Sequence, residues 1–284
     1  MTKTLIFVLT AVTALCSCNN GNDNAGKLAL NGNKSNDTTL CQFSNIKLNK
    51  MYSYCDEDGD TTYFDNTFTA LWPMVINGKS CDELQQALFR AMTDSIELNQ
   101  FDRVTDFLLN PASYAYCDAN RLKPVKAVKG DEGKLSTSEV KVIMESITDR
   151  LLTYRLSTYS YMAGGAHGIY ANNYVTYDLD SCKAVTLADV VADTTLLRST
   201  ILKSIKQTYD YGTDDLFIPD NGLLPLPRDF FIQDHTLHAV YQVYEIASYA
   251  QGMIDAPIYP YMLKPEEMKR LFTPYGLQLI NYDL

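Results

Sequence analysis

Two runs of alternating apolar and polar residues, 41–54 and 61–75, flank the turn Asp56-Glu57-Asp58-Gly59-Asp60. Phe43, Ile46, Leu48 and Met51 carry the pattern in the first run. Successive side chains of a strand face opposite sides, so the alternation commits both runs to a half-buried antiparallel hairpin. An Asp-Gly pair suits the tight turn between them. One face of that hairpin must then be covered by another layer. The acidic turn also looks like a calcium loop. Counting from Asp56, however, Thr61 and Thr67 stand where an EF-hand needs its Gly and its bidentate Glu, so a solvated turn is expected.

Helical signals follow the hairpin. Ser80-Cys81-Asp82-Glu83 reads as a capping box with Ser80 as N-cap, and Leu84, Leu88, Met92 and Ile96 recur at helical spacing. Residues 101–109 offer a second short helix, and 111–135 read as loop. Strands are expected at 139–147, 151–162 and 170–179, with a return near 185–187. Residues 192–209 form the clearest amphipathic helix, through Leu197, Ile201 and Ile205. Strands return at 229–232, 237–243 and 252–259, and Pro265-Glu266-Glu267 opens a last helix. Helices and hairpins are segregated along the chain, so the fold class is α+β. It consists of antiparallel sheets with a few packed helices in two consecutive subdomains, 40–150 and 151–284.

The N-terminus sets the expected compartment. Lys3 precedes an apolar run, Leu5 to Leu15, that is too short for a membrane-spanning helix but fits a signal peptide. Leu15-Cys16-Ser17-Cys18 resembles the lipobox of bacterial lipoproteins. That resemblance makes 1–17 a signal peptide and Cys18 the lipidated residue, with 18–39 a flexible Asn- and Gly-rich tether. Asn19 directs the expectation to the outer membrane or cell surface, with membrane contact through the lipid on Cys18 only. An exported protein can form disulfides. Cys41 could bridge Cys55 and Cys81 could bridge Cys117, or these thiols and Cys182 could be buried apolar side chains.

Twenty-four basic against 34 acidic residues give a net charge of −10, which repels phosphate backbones and excludes nucleic acid as a partner. The chain holds no GxSxG elbow, P-loop, HExxH or dinucleotide fingerprint, so no catalytic residue, cofactor or metal site is nominated. His235 and His238 stand three apart in a strand-like segment, where they would face opposite sides. The most distinctive segment is Ala163-Gly164-Gly165-Ala166-His167-Gly168-Ile169. It reads either as a ligand loop presenting His167 and bare amides, or as a strand crossover whose glycines relieve crowding.

That segment is followed by Tyr177-Asp178-Leu179-Asp180, Thr186-Leu187-Ala188-Asp189-Val190 and Asp229-Phe230-Phe231. Tyr244-Glu245-Ile246-Ala247-Ser248-Tyr249-Ala250-Gln251-Gly252 and Ile258-Tyr259-Pro260-Tyr261 come next. In this order the motifs resemble the extracellular domain shared by RsiV-type anti-sigma factors and PdaC-type peptidoglycan deacetylases, with 40–150 in the place of its smaller partner domain. The resemblance implies an α+β fold and an extracytoplasmic place, and the best-understood member of that family senses lysozyme by direct binding. The sequence departs from the pattern in Ser181-Cys182-Lys183, where the family often turns through Thr-Gly. Neither sigma-factor signalling nor deacetylation is expected.

The resulting expectation is a non-catalytic envelope binding protein for a basic lysozyme-like protein or for peptidoglycan. Its ligand-binding residues would be Gly164, Gly165, His167, Tyr161, Tyr170, Tyr244, Glu245 and Tyr249. The alternative is an envelope hydrolase acting on peptidoglycan or another glycan, with His167 working with Glu245 or Asp229. A deep polar cleft around His167 would favour the hydrolase, a tyrosine-rich face the binder.

Overall fold

A computed structural model of the chain describes residues 25–29, 40–95, 97–128, 134–209 and 215–282. The stretch expected to be a signal peptide and Cys18, expected to carry the lipid, lie outside these residues, as does Ile96 of the helical stripe. Strand β1 (Ala25–Ala29), inside the stretch read as a tether, pairs antiparallel with the start of β2 (Leu40–Cys55). β2 turns back into β3 (Thr61–Ile76), where Phe64, Asn66, Phe68, Ala70 and Trp72 are buried in strict alternation. A two-residue β4 (Lys79–Ser80) folds onto the end of β3. Ser80 is thereby held in a strand, so Cys81 rather than Ser80 is the N-cap of α1 (Asp82–Thr93), and the Ser80 hydroxyl bonds the Asp82 carboxylate. Leu84 and Leu88 of α1 and Val104 and Leu108 of α2 (Phe101–Leu108) cover the apolar face of β3. Trp72 is enclosed between the rings of Phe89 and Phe101, each at 5.2 Å.

The segment read as loop holds 3-10 turns at Pro111–Tyr114 and Ala119–Arg121 and a short β5 (Leu122–Pro124) on the edge of β2. β6 (Leu135–Ile147) then pairs with β3 in parallel, the one departure from the expected antiparallel order. β7 (Leu151–Tyr161), β8 (Ile169–Asp178) and β9 (Lys183–Ala184) continue antiparallel. The sheet has nine strands, in the main order β1-β2-β3-β6-β7-β8-β9. The boundary expected at 150/151 falls in the β6–β7 hairpin, and Leu152, Tyr154, Leu156, Val175 and Tyr177 belong to the α1–α2 core.

A second core forms after β9. Residue 187, expected on a strand, opens α3 (Leu187–Val190), because Thr186 and Asp189 close a reciprocal capping box. α4 (Thr194–Thr208) is capped by the Asp193 carboxylate and packs Leu197, Ile201 and Ile205 on a three-stranded meander. The meander comprises β10 (Asp229–Gln233), β11 (Thr236–Tyr241) and β12 (Ile254–Ile258). α5 (Pro265–Leu271) and α6 (Pro274–Leu279) close this core. Asp234 and His235 both take positive φ, as a two-residue hairpin turn requires. His235 is therefore exposed, while His238 bonds Asp255 at 2.9 Å and stacks on Phe231. Among the described residues no cluster of metal-ligating side chains occurs, and no helix is long and apolar enough to cross a membrane.

The five cysteines described are free thiols. Cys41 and Cys55 sit at opposite ends of β2, which rules out a bridge between them, whereas Cys41 and Cys81 share the first core. Where the two cores meet, fully buried Asp178 accepts bonds from the Tyr275 hydroxyl (2.7 Å), the Ser181 hydroxyl (2.8 Å) and the Asp180 amide, beside Arg150. Burial alone would raise its pKa, but these bonds outweigh burial and hold it below the usual carboxylate value. This contribution to stability is present above the ordinary carboxylate pKa and is lost as pH falls through the lowered one. Tyr275→Phe removes one bond from a buried charge and is expected to cost about 1–3 kcal/mol in urea unfolding at neutral pH.

Candidate functional site

At the tip of the β7–β8 hairpin, Met162 to Gly165 form a turn closed by the Gly165 amide on the Met162 carbonyl at 2.9 Å. Gly164 takes the left-handed third position (φ +79), and a Cβ on Gly165 would stand 3.0 Å from the Met162 oxygen. Gly168 is constrained more tightly, since a Cβ there would meet the Tyr159 ring at 2.4 Å. Its carbonyl accepts from the Tyr249 hydroxyl at 2.7 Å and from His167 Nδ1 at 2.9 Å. A carbonyl only accepts, so Nδ1 is the donor in this contact.

Tyr249 organises the aromatic groups around this point. His167 stacks on it at 4.1 Å, Tyr170 meets it edge-on at 5.9 Å, and Tyr244 tilts against it at 5.6 Å. Tyr159 is paired across the strands with Tyr170, on the same face. Of the expected ligand residues, the structure thus assembles His167, Tyr170, Tyr244 and Tyr249, with Gly164 and Gly165 in the adjoining turn. Tyr161 ends β7 opposite Thr137. Tyr174 and Tyr177 are packing residues: the first stacks on Phe231 and the second is buried.

Tyr244 holds an unusual backbone. The Glu245 amide bonds the Gln242 carbonyl, and Tyr244 occupies this turn's third position with φ +66 while its side chain is 53% exposed. A bulky residue there costs of order 1–3 kcal/mol, a strain that clusters at ligand-binding positions.

Glu245 belongs to a neighbouring arrangement centred on Gln242. The Gln242 side-chain amide accepts from the Asn172 amide (3.0 Å) and donates to the Asn172 carbonyl (2.8 Å), bonding the β8 edge as a strand would. Asp229 accepts from the Tyr174 amide and from Gln242 Nε2, and Glu245 accepts from the Gln242 amide at 2.8 Å. Burial pushes both carboxyls above their ordinary pKa values, and the Asp229 charge adds to the rise at Glu245. His167 makes no hydrogen bond or ion pair with either acid among the described residues. The pairing of His167 with Asp229 or Glu245 that a hydrolase would use is therefore not built.

Gln242 and Asp229's edge-binding role escape sequence reading, since a Gln after a strand carries no pattern. Because the Asp229 charge discourages that of Glu245, Asp229→Asn is expected to lower the Glu245 titration midpoint, read by carboxyl NMR across pH.

Residues 188–259 match the family model DUF3298, described as a protein of unknown function. Among solved structures, a member of the DUF3298 family from Bacteroides fragilis NCTC 9343 aligns at 20% identity and a TM-score of 0.54. That alignment covers 86% of this chain and 98% of the Bacteroides chain. A DUF3298 family protein from Pseudomonas aeruginosa PAO1 aligns at 15% identity and a TM-score of 0.49, covering 82% of this chain and 96% of its own. No curated protein matches the chain. The matched residues run from α3 to the end of β12 and include Asp229, Gln242, Tyr244 and Tyr249. The chain is thus similar over residues 188–259 to the DUF3298 family, within an α+β fold similar to that of the Bacteroides protein.

Proposed function

We propose that this protein is a non-catalytic, lipid-anchored binding protein of the bacterial cell envelope that recognises a basic, lysozyme-like protein. The observation that carries the reading is Tyr244, an exposed aromatic held in a strained backbone beside Tyr249, Tyr170 and His167. Rigid amphipathic rings of this kind supply contact area at low entropic cost. The net charge of −10 becomes one unit more negative once residues 1–17, which hold Lys3 and no acid, are removed. Such a field steers a basic partner toward the surface and makes association salt-dependent. Anchoring rests on the lipobox-like Leu15-Cys16-Ser17-Cys18, and Asn19 favours the outer membrane or cell surface. The exposed position of His167, stacked on Tyr249 with Nδ1 spent on a neighbouring carbonyl, supports binding over hydrolysis.

Calorimetry of the detergent-solubilised protein with a lysozyme is expected to give saturable heat that weakens with added salt. Silence with lysozyme but heat with solubilised peptidoglycan fragments would transfer the role to cell-wall glycan. Tyr244→Asn separates function from folding, because Asn tolerates the left-handed region. It is expected to leave stability unchanged or raise it by up to about 1 kcal/mol, while weakening the partner roughly tenfold or more.

A further inference from the structure

The opposite face of the same hairpin carries a second surface. Alternation along β7 and β8 sends Tyr159 and Tyr170 to the Tyr249 side, and Thr158, Ser160, Ile169 and Ala171 to the side covered by α1 and α2. The helices stop short of the hairpin tip. Beyond them lies a cavity of about 200 Å³ between the sheet and the loop following α2. Its floor is the cross-strand pair Ser138 and Ser160 with Thr158, its wall is Tyr114 and Tyr116, and Met92, Leu108 and Val140 close its inner end. A smaller space of about 10 Å³, enough for one water, continues the groove past Ser136 and Asn66.

Three properties define what this groove can take. None of the side chains lining either space is charged, in a chain with 20% charged residues. A charged ligand would enter without a counter-ion, at a high desolvation cost. The hydroxyls of Ser138, Ser160, Tyr114 and Tyr116 are half-buried or exposed and make no hydrogen bond within the protein among the described residues. They remain available as both donors and acceptors. Tyr114 and Tyr116 stack on each other at 5.7 Å, are 37% and 46% exposed, and line the groove.

We propose that this groove is a binding site for a neutral oligosaccharide, with Tyr114 and Tyr116 as the platform for a pyranose ring and the Ser138–Ser160 pair bonding its hydroxyls. A sugar ring matches the groove in each respect: it is uncharged, apolar on its faces, ringed by hydroxyls, and of a size with the cavity. An extended peptide would bring backbone groups that an inner sheet face cannot pair. A fatty chain would leave the serine hydroxyls unpaired. Tyr159 and Tyr170 also line the cavity, so it borders the Tyr249 face, but the assignment holds whether or not that face binds a lysozyme-like protein.

The test is titration of the full-length protein with N-acetylchitotriose and, separately, maltotriose, followed by calorimetry and tyrosine-ring NMR shifts. Saturable binding of either sugar that falls about tenfold or more in Tyr116→Ala supports the assignment, and the sugar that binds tells whether acetamido groups are required. Tyr116 is exposed, so its truncation should leave folding intact. Ser138→Val keeps the floor's volume while removing one hydroxyl, and is expected to weaken the same sugar. No binding of either sugar at about 10 mM, well above ordinary weak affinities, overturns the proposal. Binding that survives both substitutions but is lost in Tyr249→Ala also overturns it, by moving the sugar to the other face.

Discussion

The side-chain amide of Gln242 makes a strand-like link between two cores that also meet through Asp178–Tyr275 and Asp229–Tyr174. Strand β8 offers its outer edge along most of its length, because β9 pairs only with Tyr177 and Asp178. An open edge is a template for unwanted pairing. Here Gln242 closes it at Asn172, Asp229 takes the Tyr174 amide, and the Val185 amide takes the Thr176 carbonyl. The three-stranded meander is thereby seated against the large sheet without adding a strand to it. The cost is carried by two carboxyls held out of water with raised pKa values. Their charged forms are disfavoured in the fold, so this junction tightens as pH falls toward their midpoints.

Because the meander is seated there, Tyr244 and Tyr249 reach the β7–β8 tip from the second core while His167, Tyr159 and Tyr170 arrive from the first. The aromatic face is therefore composite. Its shape depends on the Gln242 junction as much as on the rings themselves. The groove beside it draws mainly on the α1–α2 side of the large sheet and on the segment after α2, with Tyr159 and Tyr170 at the border of the two. One hairpin thus contributes to two unlike surfaces.

Local pattern was legible where one interaction dominated. The hairpin of β2 and β3 and the stripe of α4 follow from apolar spacing, and the Asp-Gly turn from backbone preference. Tyr170, Tyr244, Tyr249 and His167 were recognisable as a set only through the order of motifs, since nothing in their spacing says that they meet. Pairing order was not legible. The β6–β7 hairpin crosses the expected boundary because hydrogen bonding, not composition, decides where a sheet ends. Tyr114 and Tyr116 were hidden in a segment that reads as loop, and they matter only because the helices leave the sheet uncovered beside them. The two short helices α3 and α6 depend on caps at Thr186 and Thr273, too brief for any periodicity to show.

The parallel pairing of β3 with β6 has a kinetic meaning. β2–β3 and β6–β7–β8 are each built from hairpin contacts between near neighbours in the chain, and can form early. The parallel joint must wait for the long connection through α1 and α2 to close, at an entropic cost incurred before its own contacts form. Until then two sheet edges stand open. For a chain emerging from the ribosome in order, the first hairpin and its helices would be complete while the rest is still to come. The order of synthesis and the order of assembly would then coincide, and the exposed interval would be set by the arrival of β6.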